Sequence, residues 1–559
     1  MNSHDYITRQ ATKAYLATAK NNLHPERHMR AEGLYAMMDV FYQNENSKRP
    51  RSDRLRIPRA LSPWQVAQIM IATEPIRRIH CVDDSTSENS YVVGIYQEYG
   101  PDAGTYDTRN TTLSGIIREY CHSFTETEIN SVMQQLRETA PPVERCKDRD
   151  IIAVNNGLFN FRTKQLEPFD KDKVFLSKSH INYNPNAQPA NIHNSADNTD
   201  WDVDSWIREL ADDDPEVENC IWEILSAIVR PNVCWNKAAF FYSTTGNNGK
   251  GTLCVLMRNL VGASVCASIP LNDFGKDFML EPLLGATCVI VDENDVGGYI
   301  DKAGNLKAVI TGDTISINRK YKTPVYYQFH GMMVQCINEM PRIKDKSNSF
   351  YRRQLFVPFQ RCFTGKERTY IKSDYLYRQE VLEYILNKVL HMTHYTLTTP
   401  KASISVMEEY KLYNDPVREF CDEILTQLVW DLVPFQFLYD VYFNWSRHNR
   451  PSSIVQGKTK FTKDLLEVLK DYPDWMPPPK TADGRYSRFT ALGHMNAPEP
   501  LIAQYDLNDW KNRNYTVGAD INKICTFYPA PTDRYPGIIR TGSALANSIT
   551  QKPQAGKAS

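Results

Sequence analysis

The chain has 559 residues, of which 42% are hydrophobic, 11% aromatic and 23% charged, and its formal net charge is −1. A chain of this length is too long to fold around one hydrophobic core, so we expect roughly three or four globular domains. The even charge balance excludes a uniformly basic nucleic-acid binder and confines any DNA-binding surface to a local patch. The 12 cysteines form no C-x-x-C pair, which favours reduced thiols over a zinc site or disulfides. No apolar run is long enough to span a membrane, and we expect a cytoplasmic protein.

Residues 1–100 are predicted to form a helical N-terminal region with a basic segment. Residues 5–45 are rich in Ala, Leu, Met, Lys and Glu, which favours two helices. Between Lys48 and Arg59, six basic residues then oppose a single acid, Asp53. Such a run is usually a solvated loop, and contact with DNA is the alternative.

A second domain is expected over residues 101–204, before the nucleotide-binding domain. Apolar residues alternate on both sides of Asn155-Asn156-Gly157, which predicts a β-hairpin. Residues 182–200 are rich in Asn, Asp and Pro, and we interpret them as a loop or linker. Apolar positions at helical spacing from Trp206 to Val229 predict the helix that opens the next domain, at residues 205–365.

A phosphate-binding loop is the main signal of that domain. The apolar strand Lys237–Tyr242 leads into Gly246, Asn247, Asn248, Gly249, Lys250, Gly251 and Thr252. Glycines allow the backbone N–H groups to face phosphate oxygens, and the lysine adds a positive charge at a helix start. The Ser or Thr usual after the lysine is replaced by Gly251, with Thr252 one position later. Taken alone, the loop fits an ordinary strand–loop–helix connection equally well.

An acidic pair follows the next apolar strand and favours the nucleotide interpretation. Asp292 and Glu293 directly follow the short apolar run of residues 285–291. At the carboxyl edge of a parallel sheet, one carboxylate can hold Mg²⁺ and its neighbour can polarise the attacking water. A strand running into an acidic turn is the alternative. About forty residues separate the loop from the acidic pair, which is enough for one strand–helix–strand unit. This spacing favours the nucleotide-binding interpretation over the acidic turn.

Three further features follow in order. A predicted hairpin carries Arg319, Lys320, Tyr321 and Lys322 at its tip, which suits a grip on single-stranded DNA, although an exposed basic turn is the alternative. Asn338 ends the next strand, where an amide can orient water and sense a γ-phosphate. Arg352 and Arg353 precede another apolar strand and can serve as an arginine finger if subunits form a ring.

The remaining chain is predicted to hold two segments. Residues 366–471 contain a helical stretch and pieces typical of a small winged-helix-type unit. Residues 472–559 are assigned to a C-terminal extension, with a small, polar tail from Gln551 that we expect to be disordered.

In this order the motifs resemble the superfamily 3 helicases of the AAA+ ATPases, specifically the phage/plasmid primase-helicase family, over roughly residues 100–465. The resemblance implies an α/β motor domain of AAA+ type, with a parallel sheet and helices on both faces. A mixed α+β region would precede this domain and a small helical, winged-helix-type domain would follow it. It also implies a homo-oligomer, a hexameric ring, that uses ATP and Mg²⁺ on single-stranded and forked DNA.

The resemblance also assigns roles to individual residues. Lys250 would hold the β- and γ-phosphates, Asp292 the Mg²⁺ and Glu293 the water, with Asn338 as sensor. Arg353 is preferred to Arg352 as the finger, and Lys307 would contact a neighbour's nucleotide. Thr252 would replace the metal-binding hydroxyl that is missing at Gly251.

The function implied is a DNA helicase that unwinds duplex during replication of a phage or mobile genetic element, in the bacterial host cytoplasm. We find no hydrophobic-Asp-hydrophobic-Asp metal site of a primase, so a separate primase or other replication proteins are expected partners. One alternative is an ATP-switched origin-binding initiator or helicase loader without processive unwinding. A primase-helicase is the third possibility.

Overall fold

The structure, a computed structural model, describes residues 3–19, 24–82, 90–294, 299–300, 303–320, 322–343, 347–449, 455–512, 514 and 520–550. Its contacts divide the chain into two compact units, Met1–Met407 and Glu408–Ser559. Among the described residues, no helix combines the length and the apolar character needed to cross a membrane.

The first unit begins with a helical layer on a small sheet. Its helices are α1 (Ser3–Ala19), α2 (Arg27–Ser47), α3 (Pro63–Thr73), α4 (Asn110–Tyr120) and α5 (Glu126–Thr139), and its strands are β1 (Ile76–His80), β2 (Tyr91–Tyr96), β3 (Tyr106–Asp107) and β4 (Pro142–Glu144). The strand order is β3-β2-β1-β4, so the predicted domain boundary at residue 100 falls inside a sheet. Capping boxes start α3 and α5, where Ser62 pairs with Gln65 and Thr125 with Glu128.

A second layer of the same unit precedes the large sheet. Its elements are β5 (Ile151–Val154), β6 (Gly157–Asn160), β7 (Gln165–Glu167), β8 (Ile192–Asn194), β9 (Thr199–Trp201), α6 (Val203–Leu210) and α7 (Pro215–Ile228). The predicted hairpin at Asn155-Asn156 is present as β5 and β6, and the predicted loop at 182–200 contains the hairpin β8–β9.

The helical segment predicted from Trp206 to Val229 forms the two helices α6 and α7. Asp212 and Asp213 adopt positive φ, which ends α6, and the Asp214 carboxylate accepts hydrogen bonds from the backbone N–H groups of Glu216 and Val217 to start α7.

The large sheet has five parallel strands. The elements of this region are β10 (Ala238–Tyr242), α8 (Lys250–Val261), β11 (Cys266–Ala267), β12 (Cys288–Val291), β13 (Tyr299–Ile300), α9 (Gly304–Thr311), β14 (Ile315–Arg319), β15 (Lys322–Tyr327), β16 (Met332–Ile337), β17 (Arg342–Ile343), α10 (Asn348–Tyr351), β18 (Gln354–Pro358), α11 (Thr369–Ser373) and α12 (Gln379–His391). The strand order is β11-β12-β16-β10-β18, and the strands of its centre are buried along their whole length, as expected for a sheet covered on both faces.

The segment after β18 belongs to this sheet's core and not to the C-terminal unit. Ile371, Leu376, Ile385 and Leu397 are buried in one hydrophobic cluster with residues of α7, α8 and the central strands. The predicted boundary at residue 365 therefore does not match the structure, because the apolar faces of α11 and α12 pack against α7 and α8, the helices of the large sheet.

The C-terminal unit combines helices with short strands. Helix α13 (Lys401–Asn414) leads into α14 (Pro416–Ile424), β19 (Leu432–Pro434), α15 (Phe435–Asn449), α16 (Lys458–Val468), β20 (Trp475–Met476), β21 (Phe489–Thr490), α17 (Leu501–Gln504), α18 (Ile521–Ile524), β22 (Arg534–Tyr535), β23 (Gly537–Arg540) and α19 (Ala544–Thr550). The strand order β19-β23-β20 puts the last strand in the middle of the sheet. The predicted boundary at residue 471 cuts this sheet, so residues 472–550 complete the unit rather than extend it. The tail from Gln551 lies outside the described residues.

Candidate functional site

The loop between β10 and α8 lies at the carboxyl edge of the parallel sheet. Asn247 and Gly249 adopt positive φ values of 58° and 83°. A Cβ atom at Gly249 would lie 2.4 Å from Cδ2 of Leu210 on α6, so both conformation and space require glycine there. The loop therefore has the backbone geometry of a phosphate-binding turn at a helix start.

Lys250 and Asn338 meet at this edge, although 88 positions of sequence separate them. The Lys250 ammonium donates to the Asn338 side-chain oxygen at 2.7 Å and to the Ile337 carbonyl at 3.2 Å. The lysine is buried, and this burial lowers its pKa. Both of its acceptors are neutral, so a phosphate oxygen could replace them and supply the opposite charge that the site lacks.

Asp292 follows β12, the neighbour of β16 in the sheet. Its Oδ1 atom accepts a hydrogen bond from the Arg258 guanidinium at 2.9 Å, and this contact lowers the pKa of Asp292. Arg258 lies on α8, and we did not predict its role. The sequence feature that could have indicated this role is the position of Arg258 eight residues after Lys250, about two helical turns along the same helix. Glu293 is exposed beside it.

Asn294 connects the acidic strand end to the sensor strand. Its amide nitrogen donates to the Gln335 side-chain oxygen and to the Cys336 carbonyl, both at 3.0 Å. These bonds fix Asn294 to β16, and Asp292 lies only two residues before Asn294 in the chain. This contact also was not predicted from the sequence.

The donor set at this edge fits Mg²⁺ bound together with a phosphate. Mg²⁺ commonly keeps several waters and takes only one or two carboxylates from the protein. Asp292 supplies an ionised carboxylate with half of its side chain exposed, and a Cβ at Gly251 would have no neighbour within 4 Å. The space that a Ser or Thr would fill is therefore open for water.

A cavity of about 420 Å³ adjoins the phosphate loop. Its walls include Trp206 and Leu210 of α6, Phe363, and Ile371 of α11. The backbone N–H of Phe363 donates to the Asn247 carbonyl at 2.8 Å, which fixes this wall to the loop. Thr252 lines this cavity, and Asp292 is not among its lining residues.

The basic hairpin is formed by β14 and β15, which pair antiparallel from Ile315 with Tyr327 to Arg319 with Lys322. Lys320 is exposed at its tip. The Arg319 guanidinium donates a hydrogen bond to the Thr323 carbonyl at 3.1 Å. Tyr321 and the side chain of Lys322 lie outside the described residues.

The two arginines lie at the opposite edge of the sheet from the loop. The Arg353 carbonyl accepts a hydrogen bond from the Ala238 backbone N–H at 2.8 Å, at the amino ends of β18 and β10. Its guanidinium donates to the Ser349 hydroxyl at 2.6 Å, and Arg352 is exposed. Lys307 is half-buried on α9.

Three family models match separate parts of the chain. The family described as D5 N terminal like matches residues 102–212, and the family described as Poxvirus D5 protein-like matches residues 412–512. Between them, a family of unknown function (DUF5906) matches residues 241–353, which include the loop, Asp292 and Asn338.

Solved structures overlap with the chain at low similarity. The apo NrS-1 C-terminal region is 13% identical, with 73% of this chain and 90% of that chain covered and a TM-score of 0.38. JCV helicase, solved with a bound thiazolopyridine compound, is 17% identical, with 38% of this chain and 58% of that chain covered and a TM-score of 0.25.

The parallel sheet and its phosphate loop define the class, an α/β motor protein. The two D5-type matches, one on each side of this sheet in the sequence, support a superfamily 3 primase-helicase-like protein.

Proposed function

We propose that this chain is an ATP-dependent DNA helicase of AAA+ type, which forms a ring, moves along single-stranded DNA and unwinds duplex during replication of a phage or mobile element. The contact between Lys250 and Asn338 supports this proposal most directly. It joins the phosphate loop after β10 to an amide after the adjacent strand β16. A γ-phosphate bound between them would be sensed by a strand end that also orients water.

Each residue of the site would then have a role in ATP hydrolysis. Lys250 and the loop from Gly246 to Thr252 would hold the phosphates. Asp292 would hold Mg²⁺, and Glu293 would polarise the attacking water. The magnesium ion would neutralise the charge that develops on the phosphates.

The 420 Å³ cavity beside the loop is a suitable place for the nucleoside base. Its walls combine four aromatic or aliphatic side chains with polar and charged ones, among them Lys366 and Arg368. The apolar side chains could pack on the base while the polar ones hold its edges. Thr252 on its wall would then contact the nucleoside, while water completes the magnesium shell on the Gly251 side.

Basic side chains at the hairpin tip would grip the DNA backbone. Lys320 is exposed at the turn of the two-stranded ribbon that β14 and β15 form. A positive charge on such a projection contacts phosphate without reading the base sequence.

A strand-displacement assay on a forked substrate, with the purified protein alone, tests this function. We expect unwinding with ATP and none with a non-hydrolysable analogue. Lys250→Ala should abolish both hydrolysis and unwinding, and Lys320→Ala should abolish unwinding. Lys276→Ala, which removes an exposed lysine paired with Asp273 at 2.7 Å, is the matched control. Hydrolysis without strand displacement would instead favour the origin-binding initiator or loader.

A further inference from the structure

A second cavity, of about 200 Å³, lies between the upstream sheet and the tip of the hairpin. Its walls include Arg137 on α5, Arg319 on β14, Glu281 before β12 and the first residue of α4, Asn110. None of these groups belongs to the nucleotide site.

The two arginines face each other without enough acid to balance them. Arg137 is half-buried, and no hydrogen bond or ion pair to its guanidinium occurs within the described part of the chain. Burial lowers the pKa of Arg137. Burial also lowers the pKa of Arg319, and the positive charge of Arg137 lowers it further. Glu281 is the one acid of the lining, and it raises the pKa of Arg319.

Arg109 also lines this cavity, but its charge is already balanced. It pairs with Asp107 at 2.6 Å and with Asp102 at 3.0 Å. The excess positive charge is therefore carried by Arg137 and Arg319 against Glu281.

The start of α4, at the wall that Asn110 forms, is already balanced by an acid. The Asp107 carboxylate accepts hydrogen bonds from the Arg109 backbone N–H at 2.8 Å and from the Thr112 hydroxyl at 2.7 Å. The anion-attracting groups of the cavity are therefore the two guanidinium groups, which bind phosphate through charge-assisted hydrogen bonds.

We propose that this cavity binds a phosphate group between Arg137 and Arg319. The phosphate belongs either to the backbone of a DNA strand that passes the hairpin tip or to a small anion, inorganic phosphate. The DNA source rests on the proposed function, whereas the small-anion source does not. In either case the bound anion removes the repulsion between the two arginines and ties the upstream sheet to the hairpin.

Arg137→Gln, Glu281→Gln and the control Arg118→Gln test the proposal in the full-length protein. Arg118 lies on α4 and pairs with Glu126 outside the cavity. Thermal unfolding is measured with inorganic phosphate or with sodium chloride at equal ionic strength. For inorganic phosphate, we expect a rise in Tm in the wild type, a loss of this rise in Arg137→Gln and a larger rise in Glu281→Gln. Without phosphate, Arg137→Gln should not lower Tm, because it removes an unbalanced charge, and a clear drop would indicate a structural arginine instead.

Fluorescence anisotropy with a single-stranded oligonucleotide separates the two sources. For a DNA phosphate, Arg137→Gln should weaken binding about three- to tenfold and make the slope of log K against log salt shallower by about 0.7, while Glu281→Gln strengthens binding. An effect on the phosphate-dependent Tm alone would assign the site to the small anion. If both variants behave like Arg118→Gln in both assays, no anion site exists. A wild-type protein that fails to bind DNA but keeps the phosphate effect would contradict the proposed function and not this site.

Discussion

The cavity beside the phosphate loop shows what single residues contribute to the nucleotide site. The loop itself could be predicted from the sequence, because its glycine, asparagine and lysine residues are neighbours in the chain and are typical of phosphate binding. It did not locate Trp206, Phe363 or Ile371 as walls, since these side chains come from separate segments and an isolated apolar residue is usually core. Arg258 was missed for a related reason, because its partner Asp292 is 34 positions away.

Phe363→Ala should weaken ATP binding while sparing the binding of pyrophosphate. The aromatic ring lines the cavity, and the proposed phosphate ligands belong to the loop and not to this ring, so its loss should remove about 1–3 kcal/mol of base stacking. Competition titrations with ATP and with pyrophosphate measure the two affinities separately. Tyr377→Ala, which removes an aromatic side chain that is 58% exposed, is the control. Equal losses for both ligands would show that the base does not occupy this cavity.

Glu499 is a buried carboxyl group in the C-terminal unit, and it should make the stability of that unit depend on pH. One oxygen accepts the Val429 backbone N–H at 2.8 Å, and the other has no partner among the described residues. Burial raises the pKa of Glu499. The folded state therefore binds a proton more tightly than the unfolded state, and stability decreases as pH rises from the ordinary glutamate range through the raised pKa.

Glu499→Gln removes this titration and keeps a hydrogen-bond acceptor. We expect the unfolding transition of the C-terminal unit to become less sensitive to pH between about pH 4 and about pH 7. Calorimetry of the wild type and the variant across this range measures the difference. Glu467→Gln, an exposed change in the same unit, should leave the pH dependence as it is. The same pH dependence in Glu499→Gln and the wild type would contradict the raised pKa.

At the scale of elements, local patterns predicted individual strands and hairpins, but not the domain boundaries. The hairpin at Asn155-Asn156 and the buried strand before Asp292 were predicted because turn chemistry and apolar runs are local signals. The sheet of the C-terminal unit was missed because its middle strand, β23, is short and lies far along the chain from β19 and β20. Pairing between distant short strands leaves no periodic signal in the sequence.

A stop codon after Asp471 should therefore unfold the C-terminal unit. Ile538 and Ile539 of β23 are fully buried, and the truncated chain would expose the apolar faces of α14, α15 and α16. Limited proteolysis should then cleave residues 408–471, which resist cleavage in the full-length protein. Truncation after Thr550 is the control, because it keeps every described element. A protease-resistant fragment from the shorter chain would show that these helices fold without the strands.

At the scale of the whole molecule, the two edges of the motor sheet carry different parts of the proposed active site. Lys250 follows the carboxyl end of β10. At the amino end of β10, the Ala238 backbone N–H donates a hydrogen bond to the Arg353 carbonyl. The five residues of β10 span about 16 Å at about 3.3 Å per residue. Arg353 therefore lies far from its own phosphate loop. A head-to-tail ring would bring this edge to the neighbouring subunit's nucleotide, which is how an arginine finger acts.

Mixing two inactive variants tests this arrangement. Lys250→Ala and Arg353→Ala should each lower ATP hydrolysis about a thousandfold or more. In an equal mixture, about a quarter of the subunit interfaces would combine an intact lysine with an intact arginine, so hydrolysis should return to a measurable fraction of the wild-type rate. A mixture of wild-type protein with Lys250→Ala shows whether subunits exchange under the same conditions. If subunits exchange and the mixture stays inactive, Arg353 does not act across an interface, and the same experiment with Arg352→Ala examines the other candidate.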